Sequence, residues 1–95
     1  MPLRADYRAP FNQAGINQVP VTAKGVYGIF NSSIWIYVGK GEIRQRLQAH
    51  LDNDNPCITN SSPAGFIAEL VSGDPSNREV QLILELKPKC NKKVG

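Results

Sequence analysis

Residues 25–50 read GVYGIFNSSIWIYVGKGEIRQRLQAH, and the fold turns on how this stretch is read. GVYGIFN and IWIYVGK are rich in aromatic and β-branched residues and are separated by the turn-forming Asn31, Ser32 and Ser33, which predicts a β-hairpin. From Ile43 the period changes. Ile43, Leu47 and Leu51 recur at every fourth position, the stripe of a helix expected over residues 42–52. Arg46 and His50 stand one turn apart on that helix, beside the stripe, so a cation and an imidazole border the core. Tyr27 and Tyr37 lie on paired strands and come near one another across the hairpin. Singly, a strand tyrosine is ordinary packing and a lone histidine is more often a satisfied residue than a reactive one. Gly28, Gly39 and Gly41 read as turn or bulge residues, and YVGKG followed by a helix is only a weak signal of anion binding at a helix N-terminus, with no G-x-x-x-x-G-K-[ST] present.

Residues 1–23, ahead of the hairpin, hold three prolines and no sustained period, and are expected to form an irregular arm before one domain over residues 24–95. DNDNPCITNSSPAG, residues 52–65, is a loop by composition. FIAELV, residues 66–71, is bounded by turn residues and is expected as a third strand rather than a helical turn. SNREVQLILELK, residues 76–87, is the second helix, with apolar surface from Val80, Leu82, Ile83, Leu84 and Leu86 and an end before Pro88. Glu79 stands in line with Leu82, Ile83 and Leu86, where an unpaired charge is costly, so it calls for a partner or a metal. A capping box, Ser76-x-x-Glu79, accounts for the same residue equally well, and the two roles are compatible.

With 95 residues and 41% apolar content, the chain supports one modest core. Cys57 and Cys90 have no neighbouring Cys or His, which excludes zinc-ligand spacing and leaves them as expected reduced, packed thiols. No apolar run is long enough for a membrane and none resembles a secretory signal, so a soluble, cytoplasmic protein without a membrane partner is expected. The net charge of +3 is mild but clustered: Lys40, Arg44 and Arg46 follow the hairpin, and Lys87, Lys89, Lys92 and Lys93 crowd the C-terminus. On charge alone, a solvated surface and a phosphate-binding face are equal readings.

Taken in order, GVY at 25–27, YVG at 37–39, Arg46 and His50 in the following helix, and the late Glu79 and Asn91 resemble the GIY-YIG nuclease superfamily over residues 25–91. The resemblance implies an α+β fold, a small three-stranded antiparallel sheet flanked by helices. It implies a single-domain endonuclease that hydrolyses DNA phosphodiester bonds with a divalent metal, Mg²⁺ or Mn²⁺. Carried across, Tyr27 and Tyr37 would floor the site, one phenol activating or orienting the attacking water, with Tyr27 and His50 both open as the base. Arg46 would hold the scissile phosphate, His50 would assist proton transfer, Glu79 would bind the metal, and Asn91 would fix the site from the C-terminal side. Lys40, Arg44, Lys87 and Lys89 would add nucleic-acid contacts. Valine replaces isoleucine in both motifs, which preserves strand character. Only four residues follow Asn91, so target choice is expected to come from the arm, the loop, the catalytic face or a partner protein. The alternative is a non-catalytic nucleic-acid-binding module that keeps the fold.

Overall fold

The computed structural model describes residues 3–91. The hairpin forms as β2, Lys24–Phe30, and β3, Trp35–Glu42, with Tyr27 opposite Gly39 and Ile29 opposite Tyr37. Its turn is held by Asn31, whose side-chain oxygen accepts from the Ser33 and Ile34 amides at 2.8 and 2.9 Å. A register shift between Ile29 and Phe30 makes Ile36 the extra residue of β3. Ile36 and Tyr37 therefore pack on the same side despite being adjacent in sequence.

FIAELV forms β4, Gly65–Leu70, antiparallel to β2 as expected. The sheet nevertheless has four strands rather than three. Residues 7–10 of the supposed irregular arm form a strand, β1, Tyr7–Pro10, that pairs with β4 and completes the order β1-β4-β2-β3. Four residues are too few to display a period, and an edge strand can end in proline because its outward amide needs no partner. A helical turn, α1, Gln13–Ile16, follows, with the Asn12 side chain accepting from the Gly15 amide at 2.8 Å.

The first long helix, α2, Ile43–Leu51, matches the expected stripe. Residues 52–65 are not wholly a loop: they hold α3, Pro56–Asn60, begun by Asn55, which caps the Cys57 amide at 3.1 Å, and by Pro56 at the first turn. The last helix is α4, Ser76–Leu86, ended by Lys87 in a left-handed conformation. Leu82 and Ile83 are buried as expected, whereas Leu84 faces solvent at 61% exposure.

The sheet separates two apolar layers. Tyr27, Ile29, Ile36 and Phe66 pack with Ile43 and Leu47 of α2 and Ile58 of α3, and Val26, Val38 and Ile67 pack with Leu3 and with Leu82 and Ile83 of α4. Each fully buried side chain of this size contributes roughly 1.5–3 kcal/mol. The second layer contains a buried carboxylate, Glu69, whose oxygens receive the Arg78 guanidinium at 2.8 and 3.0 Å and the Arg4 amide at 2.8 Å. The Arg78 hydrogen bonds hold its carboxyl below the usual range.

The expectation of two free thiols is corrected: Cys57 and Cys90 form a disulfide, with Cα atoms 5.8 Å apart. The sheet brings α3 and the segment after α4 together, a proximity that spacing in sequence cannot reveal. Closing this loop, with a separation of 33 residues, stabilises the fold by about 3–4 kcal/mol in the chain-entropy account. Among the described residues, no helix is long and apolar enough to cross a membrane.

Candidate active site

The motif residues meet along the β3 edge of the sheet, between α2 on one face and α4 on the other. Tyr27 is fully buried and lies across Gly39, its partner in register. A Cβ at Gly39 would overlap the Tyr27 hydroxyl and ring, so this glycine makes room for a phenol rather than forming a turn or bulge. Tyr37 stands beside it, half-buried, with ring centroids 6.3 Å apart. Gly41, at φ +114°, takes the conformation that redirects β3 into α2, and α2 then carries Arg46 and His50 over the tyrosine pair.

His50 is 2% exposed, with the Tyr27 oxygen 2.7 Å from its Nε2 and the Tyr37 ring centroid 5.0 Å from its own. Its Nδ1 lies 2.8 Å from Oδ1 of Asp54. Asp54 escaped the sequence reading. The signal was present in HLDND: Asn53 takes a left-handed φ of 70°, the Asn53 amide donates to the His50 carbonyl, and the Asp54 amide donates to the Ala49 carbonyl. This is a Schellman helix ending, which turns the residue after the left-handed position back beneath the last turn.

Burial raises the Tyr27 phenol well above its ordinary pKa, with the Tyr37 phenol adding to the rise and the Arg46 guanidinium opposing it. Burial likewise raises Tyr37, again opposed by Arg46, and Glu79 adds to the rise. Burial lowers the His50 pKa, against the opposing effect of the hydrogen bond that it donates to Asp54, so the imidazole is neutral at physiological pH. Arg46 itself is exposed.

On the other face, Glu79 sits in the first turn of α4 with a side chain 20% exposed and the Lys40 ammonium 3.9 Å away. The capping-box reading is overturned. Pro75 occupies the cap position without a side-chain bond, while the Ser76 hydroxyl receives Lys40 at 2.7 Å and donates to Asp74 at 2.7 Å. Burial raises the Glu79 pKa, and Lys40 opposes the rise. A hard, partly desolvated carboxylate with its nearest cation beyond hydrogen-bond reach is the kind of ligand that would suit a divalent cation such as Mg²⁺. No group of three or more metal-ligating His, Cys, Asp or Glu occurs among the described residues.

Asn91 clamps β3 beside Tyr37: its Oδ1 accepts from the Val38 amide at 2.8 Å and its Nδ2 donates to the Val38 carbonyl at 3.0 Å. The Lys89 and Cys90 amides extend this contact to the Trp35 and Ile36 carbonyls. Tyr27, Tyr37, Lys40, Arg46, His50, Glu79 and Asn91 therefore share one edge. Arg44 turns away to Asn17 at 3.1 Å. Lys87 and Lys89 line a cleft with Trp35 at the hairpin end of β3, about 17 Å along the strand from Lys40. Lys92 and Lys93 lie outside the described residues.

This arrangement is a GIY-YIG nuclease-like fold. The solved structures it resembles include the GIY-YIG N-terminal endonuclease domain of UvrC from Thermotoga maritima bound to magnesium as its catalytic divalent cation, at TM-score 0.68 and 23% identity over 84% of this chain and 98% of that one. Two point mutants of that domain, each bound to the catalytic cation, match at TM-scores 0.69 and 0.70 with 22% and 21% identity, over 86% of this chain and 100% of theirs. At these identities the likeness is one of fold. No protein-family model matches the chain, and no curated protein does.

Proposed function

We propose that the protein is a metal-dependent endonuclease that hydrolyses DNA phosphodiester bonds. The observation that carries this reading is the convergence of a hydrogen-bonded Tyr27–His50 pair, the Arg46 guanidinium and the half-buried Glu79 on one edge of a nuclease-like fold. Glu79 would hold Mg²⁺ or Mn²⁺. When bound, the cation supplies charge neutralisation at the phosphoryl and leaving oxygens.

The chain's own groups account for the rest. Arg46 offers a planar donor fork to the scissile phosphate, and Lys40 adds positive charge on the α4 side. Tyr27 has no exposed surface, and the Arg46 guanidinium lies beside its phenol. A phenol of raised pKa is a poor base alone. It becomes competent by accepting a proton from the attacking water as it passes its own to Nε2 of His50. The water oxygen bonds to phosphorus, the bond to the leaving oxygen breaks, and that oxygen takes a proton from solvent. Tyr37 orients the water, and Asn91 keeps β3 in place beneath it. Lys87 and Lys89 would meet phosphates farther along the strand. Target selection by a partner protein remains part of this proposal.

Arg46→Ala is expected to lower kcat by about 10²–10³-fold, as loss of one preorganised donor does, with the melting temperature unchanged because the side chain is exposed. Single-turnover cleavage measures this. Wild-type rates in that variant would sink the phosphate role.

A further inference from the structure

We infer that Asp54 is a positioning residue that fixes His50 in the tautomer able to take the proton of Tyr27, a role that rests on the nuclease reading above. His50 has both ring nitrogens engaged in opposite directions, Nδ1 with Oδ1 of Asp54 at 2.8 Å and Nε2 with the Tyr27 oxygen at 2.7 Å. An ionised carboxylate can only accept, so Nδ1 must carry the hydrogen. Nε2 is then bare in the neutral imidazole and accepts from the Tyr27 hydroxyl. In the opposite tautomer Nε2 would donate to Tyr27, and the phenol could not discharge its proton in that direction.

The groups facing His50 are Tyr27 from β2, Tyr37 from β3, Arg46 on its own helix and Asp54 from the turn that follows. Of these, Asp54 alone is an anion, and it sits on the nitrogen away from the reaction. It therefore also stabilises the imidazolium that exists once the proton has arrived, as a carboxylate behind a histidine base does, here from a partly exposed position. The position follows from the helix ending: with Asn53 left-handed, the next residue is turned under His50. Thr59 of α3 donates to the Asn53 side chain at 2.8 Å and steadies the turn. The Asp54 side chain is 37% exposed, so it can be changed without opening the core.

His50 is the chain's only histidine, so its ring nitrogens give an unambiguous NMR signature in uniformly labelled protein. In the wild type without DNA, the expected neutral form is protonated on Nδ1. In Asp54→Asn, whose amide can either donate or accept, the Nε2-protonated form should become substantial and the His50 pKa should fall, because the charge that favours imidazolium is gone. Cleavage should then show kcat reduced about 10–100-fold at unchanged KM, with the rising limb of the pH profile moved to lower pH. A residue that only braced the turn would lower activity without moving that limb. Overturning results are an Nε2-protonated wild type, an unchanged tautomer and pKa in Asp54→Asn, or an altered tautomer with unaltered kcat. Absence of cleavage by the wild type would fail the nuclease reading instead, and the DNA-free spectra tell the two failures apart.

Discussion

Glu79→Gln is expected to abolish metal-dependent cleavage, lowering kcat/KM by at least ~10³-fold, while leaving the protein as stable as the wild type. The two halves of this expectation have different causes. Glutamine keeps the size of glutamate but lacks the charge that a hard divalent cation requires of a lone carboxylate ligand. Stability is spared because Glu79 does not cap its helix: Pro75 stands at the cap, and Ser76 bonds to Lys40 and Asp74 instead. Its ion pair with Lys40 is long, at 3.9 Å, and partly exposed, so its loss costs at most about 1 kcal/mol. Burial already disfavours the ionised carboxyl, which offsets part of that loss. Single-turnover cleavage with thermal melting measures both quantities. A variant that loses melting temperature and activity together would return Glu79 to a structural role.

Gly39→Ala carries the second large effect. The added methyl would fall on the Tyr27 hydroxyl and ring, which are enclosed in the apolar layer beneath α2. Displacing a buried aromatic ring costs about 1–3 kcal/mol. Because the Tyr27 oxygen also contacts Nε2 of His50 at 2.7 Å, cleavage should fall by ~10²-fold or more. The collision predicts a specific coupling. In a Tyr27→Leu background, where the ring end and hydroxyl are gone, Gly39→Ala should destabilise much less than in the wild type. Equal costs in both backgrounds, from urea denaturation, would mean that Gly39 serves the backbone and not the phenol.

Period and turn chemistry made the hairpin, α2, β4 and α4 legible, because each carries a run of apolar residues long enough to repeat. β1 and α3, of four and five residues, are too short to display a stripe and take their stability from β4 and from the Asn55 cap. The disulfide and the clamp of Asn91 on Val38 depend on elements distant in sequence meeting at the sheet. Within the site, the tyrosines, Arg46, His50 and Glu79 were readable as an ordered pattern, and the structure brings them together. The purpose of Gly39 was not readable, since a strand glycine looks alike whether it serves a bulge or a neighbouring ring. Asp54 was hidden in a polar run that resembles any loop. Its partner becomes apparent only once Asn53 is recognised as the left-handed residue that ends α2.

Nuclease activity is decided by incubating the wild-type protein with mixed single-stranded, double-stranded and branched DNA in Mg²⁺, in Mn²⁺ and in EDTA. The expected result is cleavage products that require the cation and identify the preferred substrate at once. Salt-sensitive binding of DNA that stays intact under every condition would rule out the nuclease and assign the fold to a non-catalytic nucleic-acid-binding module.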